Sequence, residues 1–356
     1  KIGMPISLSG PFANMGRQSL SGLVAWASDV NVAGGIVIGS KNHFVNLIYD
    51  DDTGRKEIAG QLTERMICDD QVDLLFGPYS SVLTNNAVRY ANKYGRVLWN
   101  HGGATHELYS DTPDLTVDIL SPAEMYFHGV IDFGMKTNKT MGNIAIIYSD
   151  RGKFPRTVAL GAAEHAERLG ISQIDMLRYD PSDESFQSTI NSTRIYNADL
   201  ILGVGRQEDD IALAKTWVGA NYPTHKIALI ATPTQKFIQE LGSLADGFLG
   251  PSQWEEIAVN KIDYGPTAST LGLTGSDYPK AQAYAAGLVA QRCVEQAGTL
   301  DNKLLYDTSS QLDFRTFYGR FKMGPVSHRQ IGHQMVVVQW QSGEKTVVWP
   351  QESVIG

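Results

Sequence analysis

The feature that most narrows the folds open to this chain is an alternation. Short apolar runs of strand length are followed by polar or glycine-bearing turns, then by longer stretches with apolar residues at helical spacing. Ile2–Leu8 reads as a buried strand. Gln18–Val32 reads as a helix, with Leu20, Val24, Ala27 and Val30 near one stripe. Val45–Tyr49, Val72–Phe76 and Val97–Trp99 are further strands, separated by helices at Glu57–Ile67 and Leu83–Lys93. The alternation then restarts. Helices at Ala123–Met135, Arg156–Leu169, Phe186–Arg194 and Asp210–Gly219 interleave with strands at Asn143–Tyr148, Gln173–Leu177, Leu200–Val204 and Ile227–Ala231. Apolar strands followed by helices predict parallel sheets covered on both faces, and two such series predict two similar α/β lobes. The length of 356 residues fits two or three domains at roughly 100–200 residues each.

The end of the chain breaks the pattern. Gly247–Pro251 reads as a strand leaving a domain, Asp277–Gly298 as a long Ala-rich helix, and Leu312–Phe321 as a short amphipathic piece. Val336–Trp340 and Thr346–Trp349 flank Gln341–Glu344 as a hairpin, antiparallel where the rest is parallel.

Composition excludes several classes. Hydrophobic residues make up 42% and charged residues 19%, enough for packed cores. The net charge of −8 and the scattered Lys and Arg argue against a nucleic-acid groove. No run of about 18 apolar residues is present to span a membrane. Cys68 and Cys293 permit one disulfide, but each sits among apolar neighbours and reads as a buried thiol.

Enzyme motifs fail in turn. Gly203-Val204-Gly205 precedes a helix, yet Glu208 stands where a dinucleotide fingerprint needs its third glycine. No Walker sequence, His-Glu-x-x-His or Gly-x-Ser-x-Gly elbow occurs. His101 and His106 have no zinc spacing, and Asp50-Asp51-Asp52 reads as a strand end passing into a helix cap rather than a metal site. The chain is therefore expected to be no enzyme, with no cofactor and no metal.

In open parallel sheets ligands bind beyond the carboxyl ends of the strands. Those loops here are rich in Gly, Ser, Thr and Asn: Ser9–Gly16, Tyr79-Ser80-Ser81, and Gly102-Gly103-Ala104-Thr105. Glycine lets backbone approach a ligand, hydroxyls add donors, and the helix start that follows presents free N–H groups, a combination suited to a small carboxylate. The plainer alternative is that Ser80, Ser81 and Thr105 are caps and turn residues.

An ordered set of segments completes the picture: Pro5–Pro11, Tyr49-Asp50-Asp51-Asp52, Gly77-Pro78-Tyr79-Ser80-Ser81, Asn100–Thr105, Ser121-Pro122-Ala123, Pro251–Trp254, Ala283–Gly287 and Val338-Gln339-Trp340. In order and spacing this resembles the leucine/isoleucine/valine-binding-protein family of periplasmic binding proteins, over essentially the whole chain. The resemblance implies a type I periplasmic binding protein fold: α/β, with two Rossmann-like lobes built on parallel sheets and joined by three crossovers. Lobe one then takes residues 1–120 and 251–335, and lobe two 121–250 and 336–356. It implies a monomer, periplasmic or extracellular, that captures an amino acid or related small carboxylate in a cleft between the lobes and serves ABC permease subunits. A signal peptide or lipid anchor in the precursor is left open, and a sensing role on the same fold is the alternative. By the resemblance Ser80, Ser81, Ala104 and Thr105 hold the ligand carboxylate, and Met15 takes the place of a covering aromatic. Tyr79, Phe12, Phe154 and Trp254 lie in segments that then line the site. The family's partner for a ligand ammonium is not evident; Asp118, Asp150, Glu208 and Glu255 are the candidate acids. Arg151 and Arg206 follow strand ends in lobe two and favour an aromatic or keto acid over an amino acid.

Overall fold

Ile2, Met4 and Ile6 are buried on a strand that has no polar face, so it is covered on both sides. The structure, a computed structural model, describes residues 1–105, 115–180, 186–191, 197–256, 262–273 and 275–350. Expectations touching His106, residues 192–194 of the predicted Phe186–Arg194 helix and the end of the chain lie outside them.

The chain divides into two compact units, Lys1–Pro122 with Val259–Gln334, and Ala123–Ala258 with Met335–Gly356. It passes between them three times, after residues 122, 258 and 334. The expected boundary at 250/251 falls inside a strand; residues 251–258 stay with unit two because Pro251 and Ser252 are paired into its sheet.

Unit one holds a five-stranded sheet. Its strands are β1 (Ile2–Ile6), β4 (Leu47–Asp51), β5 (Leu74–Phe76), β6 (Leu98–Asn100) and β7 (Thr116–Asp118), in the order β4-β1-β5-β6-β7 and all parallel. Helices α1 (Ala13–Val32), α2 (Lys56–Cys68) and α3 (Ser81–Lys93) connect them. A two-stranded hairpin, β2 (Ile36–Ile38) and β3 (Lys41–His43), sits in the first connection. Its strands are too short to show a period, and β7 follows a segment without pattern, so neither was predicted from the sequence. In unit two, α4 (His128–Thr137) leads into β8 (Asn143–Ser149), followed by α5 (Lys153–Arg168), β9 (Gln173–Tyr179), α6 (Gln187–Ile190), β10 (Leu200–Val204), α7 (Gln207–Gly219), β11 (Ile227–Leu229), α8 (Gln235–Leu241) and β12 (Leu249–Ser252).

The single helix expected over Ala123–Met135 is instead a 3₁₀ turn at Ala123–Met125 followed by α4. The backbone of the turn lies against Gly161 of α5, where a side chain would meet the Glu124 carbonyl. Strands β9-β8-β10-β11-β12 run parallel in the same order as in unit one, and β15 (Val336–Gln341) and β16 (Glu344–Trp349) extend the sheet antiparallel from β12. Residues 312–321, read as one amphipathic piece, form the hairpin β13 (Asp313–Thr316) and β14 (Gly319–Lys322), pinned by Asp313 against Arg320 and Lys322.

Helix α9 (Tyr278–Ala297) returns to unit one and packs along α1; α10 (Asn302–Ser309) follows it, capped by Asp301. Gly22 of α1 lies against the Lys280 carbonyl, and Gly287 of α9 against the fully buried Trp26 ring. Small residues let the two axes approach closely. Both cysteines are free; Cys293 is buried as expected, but Cys68 is exposed because it closes α2 on its solvent side. No described helix is long and apolar enough to cross a membrane.

A methyl group at position 287 would sit 2.2 Å from Trp26 Cδ2. Gly287→Ala is therefore expected to lower stability by about 1–3 kcal/mol in urea denaturation, the range for overpacking a filled core. An unchanged midpoint would mean the α1–α9 seam can open without cost.

Candidate functional site

In a sheet of order 2-1-3-4-5 the crevice lies where the order reverses, beyond the carboxyl ends of the first and third strands. In unit one that point is flanked by the loops after β1 and β5, with the loop after β6 beside them.

The loops after β5 and β6 are packed backbone on backbone. Ser80 N–H donates to the Gly102 carbonyl at 3.1 Å. A side chain at 102 would lie 2.3 Å from the Pro78 carbonyl, so only glycine fits there. The Asn100 side chain shapes the second loop. Its Oδ1 accepts from the Gly102 and Gly103 amides at 3.1 and 2.8 Å, and its Nδ2 donates to the Gly103 carbonyl and to Asp118 Oδ1, each at 2.6 Å. Ala104 N–H donates to Ser81 Oγ at 3.1 Å, which joins the two loops again.

Thus the structure brings together Ser80, Ser81 and Ala104, with Thr105 next in the chain and 2% exposed. Ser80 adopts φ +87°, ψ 144°. A non-glycine residue in that region costs about 1–3 kcal/mol and persists only where its surroundings hold it. Its hydroxyl oxygen is buried and has no hydrogen-bond partner among the described residues. It immediately precedes α3, whose first amides are free of intrahelical partners. A buried, unused hydroxyl beside a helix start is equipped to meet an anion.

Around this pair, Tyr79 donates or accepts at Tyr278, hydroxyl to hydroxyl, at 2.7 Å, and burial pushes its phenol up to about 12. Met15 is buried in the first turn of α1 and Phe12 is its partly buried N-cap. The acid run is structural. Asp50 pairs with Arg65, Asp51 accepts from the Leu8, Ser9 and Thr53 amides, and Asp52 accepts from Ser7 Oγ and the Gly54 amide. Protein donors engage all three carboxylates, and the cap of α2 is Arg55, not an aspartate as the sequence suggested.

Unit two repeats the arrangement with different chemistry. Its order reverses between β8 and β10, and the residues just past those strands include Arg151 and Arg206. Burial and the neighbouring Arg151 both hold Arg206 below the usual guanidinium range. Tyr179 reaches this point too, its hydroxyl so close to the Gly205 backbone that no side chain fits at 205. Behind it Asp210 is fully buried, accepts from the Ala231 amide at 2.9 Å, and is pushed well above the usual carboxylate range by burial.

Phe154, at the start of α5, packs edge-on against Tyr126 at 5.2 Å. Trp254 is 5% exposed in the segment after β12. Of the acids considered for an ammonium, Asp118 is bound by Asn100, Glu208 pairs with Lys236 at 2.8 Å, and Glu255 pairs with Lys345 at 2.8 Å; Asp150 is exposed.

Sequence reasoning missed Asn100, Asp210 and Tyr179. Asn100 was legible as the last residue of a strand before two glycines, a place where a side-chain amide substitutes for backbone partners. Nothing local marks Tyr179 or Asp210.

A family model for periplasmic binding proteins matches residues 1–345. The chain is 24% identical over 389 aligned positions to Leu/Ile/Val-binding protein homolog 8 of Brucella abortus, covering 100% of this chain and 91% of the relative. Among solved structures it is similar to the LivJ substrate-binding protein of Streptococcus pneumoniae in complex with isoleucine, with a TM-score of 0.81, 16% identity, and 98% and 99% of the two chains covered. It is similar also to a solute-binding protein of an R. palustris ABC transporter in complex with 4-hydroxybenzoate, with a TM-score of 0.79, 17% identity, and 97% and 94% covered.

His101, at the base of the second loop, is fully buried, and burial brings its imidazole down to about 4. The unfolded chain, titrating near 6.5, binds the proton first, so this group's contribution is intact above about pH 6.5 and is lost as pH falls through about 4. The expected loss is up to about 3 kcal/mol. Chemical denaturation from pH 7 to 4 should show it, and His101→Leu should flatten that part of the profile; an equal slope in the variant would place the titration elsewhere.

Proposed function

The chain belongs to the periplasmic binding protein family, and from that premise we propose that it captures a small carboxylate-bearing solute outside the cytoplasmic membrane and delivers it to the permease of an ABC importer. Its fold is the type I periplasmic binding protein fold, and family and fold are those of solute carriers rather than catalysts.

One observation carries the carboxylate: Ser80 Oγ, buried without a partner among the described residues at the start of α3, beside Ser81 and the Ala104–Thr105 turn. Neutral hydroxyls and helix-start amides suit a carboxylate, because they bond its charge without adding a competing one. We assign the carboxylate to Ser80, Ser81, Ala104 and Thr105, and the apolar surroundings in unit one to Phe12, Met15 and Tyr79. In unit two Phe154, Arg206 and Trp254 are the assigned contacts of the remaining part of the solute.

Two solute classes compete. LivJ of S. pneumoniae was solved with isoleucine, and the R. palustris protein with 4-hydroxybenzoate. An amino acid needs an anion for its ammonium, and three of the four candidate acids already have partners: Asp118, Glu208 and Glu255. Arg151 and Arg206 lie close enough to repel one another, which an ammonium worsens, whereas a phenol or keto oxygen adds no positive charge and can accept a hydrogen bond from a guanidinium. These residues favour an aromatic or keto acid.

Thermal-shift titration with L-isoleucine, L-leucine, 4-methyl-2-oxopentanoate and 4-hydroxybenzoate separates the classes. Stabilisation by the two acids without an amine is expected; stabilisation by the amino acids alone would reverse the assignment. Thr105→Val should weaken binding of the stabilising solute at least about tenfold, since a hydrogen bond to a charged group contributes about 1.5–3 kcal/mol. A dissociation constant unchanged by that substitution would reduce the turn to a connector.

A further inference from the structure

A chain of buried polar side chains runs through unit one from the loop after β6 to both places where the backbone leaves the unit. Gln282 projects from α9, from a buried stretch otherwise made of Ala281, Ala283, Tyr284, Ala285 and Ala286. Its Nε2 donates to the carbonyl of His101, the residue that opens the Gly102–Thr105 turn. Its Oε1 accepts from the Tyr318 hydroxyl at 2.6 Å. The Tyr318 ring stacks on His333, with centroids 4.5 Å apart and planes 15° from parallel. His333 Nδ1 meets Ser121 Oγ at 2.7 Å, and Ser121 Oγ also donates to the His333 carbonyl at 3.3 Å. Ser121 stands one residue before Pro122, the first exit from unit one, and His333 one residue before Gln334, the second. Beside them, Gln330 Nε2 donates to the Ile119 carbonyl at 3.2 Å.

Packing alone does not call for these groups. Gln282 is 1% exposed, Ser121 1%, His333 5% and Tyr318 6%. An apolar side chain would fill the α9 position without the penalty of burying an amide, and that penalty is offset only when donor and acceptor are both used, as here. Bonded networks in low dielectric are stiff and geometrically specific, so a shift at one member is felt at the next.

We propose that Gln282 is a positioning residue for the carboxylate-holding turn, and that Tyr318, His333 and Ser121 connect that turn to the two exits from unit one. Occupancy of the turn and conformation of the exits then bias each other, by the reciprocity of coupled equilibria. The proposal rests on the assignment of Ala104 and Thr105 to the solute carboxylate only for its functional meaning; the physical link stands or falls separately.

Hydrogen exchange of the ligand-free protein tests the link directly. Gln282→Met keeps the volume and removes both bonds. Tyr318→Phe keeps the stacked ring and removes one bond. Ser121→Ala cuts the far end. Exchange at the amides of Gly102, Gly103, Ala104 and Thr105 should rise at least tenfold in Gln282→Met and severalfold in Tyr318→Phe and Ser121→Ala, with the amides of β1 and β5 unchanged. A rise confined to Gln282→Met would overturn the connection to the exits. A uniform rise across unit one, or none, would overturn the proposal whole.

Titration with 4-hydroxybenzoate and L-isoleucine supplies the second readout. For whichever of them stabilises the parent protein, Gln282→Met should weaken binding at least tenfold, and the double variant with Thr105→Val should lose less than the product of the single losses. Multiplicative losses would mean Gln282 does not act through the turn. If Thr105→Val leaves the dissociation constant unchanged, the carboxylate assignment fails, and the exchange data alone decide the relay.

Discussion

The geometry of unit one depends on one amide side chain. Asn100 ends β6, is fully buried, and uses both ends of its carboxamide to hold Gly102, Gly103 and Asp118. Without those bonds two glycines in succession would cost the turn much conformational entropy and leave buried amides unpaired. With them the turn lies against the Pro78 carbonyl and presents Ala104 to Ser81. The unusual backbone of Ser80 follows from the same contact, because its amide must reach the Gly102 carbonyl while its chain starts α3. A turn held by backbone in this way is ordered by its own contacts, and on the proposed assignment that lowers the entropy lost on binding.

Much of this was legible in the sequence, for reasons that can be stated residue by residue. Apolar runs such as Leu200–Val204 and Ile144–Ile147 are buried along their length because both faces are covered, and that density is readable without any structure. The loops holding Ser80, Ser81 and Thr105 were singled out because ligands in open parallel sheets bind past strand ends, and because Gly, Ser and Thr cluster there; the structure packs those loops against each other. What escaped were features set by distant partners. Thr116–Asp118 is a strand only because Asn100 and its neighbours supply the pairing. Leu312–Phe321 reads only as a short amphipathic piece but folds as a hairpin, since Asp313 finds Arg320 and Lys322 across the turn. The contact of Gln282 with His101 spans 181 residues, about half of the chain, and leaves no local mark.

The two units share a strand order and differ in what they offer at the place where it reverses. Unit one offers hydroxyls and amides; unit two offers guanidinium groups, a phenol and a buried carboxyl. A neutral cradle tolerates many acids, since it bonds a carboxylate whatever is attached. Charge of one sign is more selective, because it penalises the wrong solute as well as rewarding the right one. On the proposed assignment, recognition of a class and choice within it are separable, open to change one at a time.

The interleaving of the units has a bearing on how the chain reaches its native state. Unit two begins at Ala123, but β12, paired on one side with β11, lacks its other neighbour until β15 has been made, more than eighty residues after Ser252. Unit one likewise waits for α9 to cover α1. The five strands of unit one are all made by Asp118, but α1 keeps an uncovered apolar face until α9 is made, and the sheet of unit two keeps an open edge at β12 until β15 is made. Such a chain folds late and through non-local pairings. A polypeptide whose two units are each completed only by a late segment gains their full stability only near the end of its synthesis.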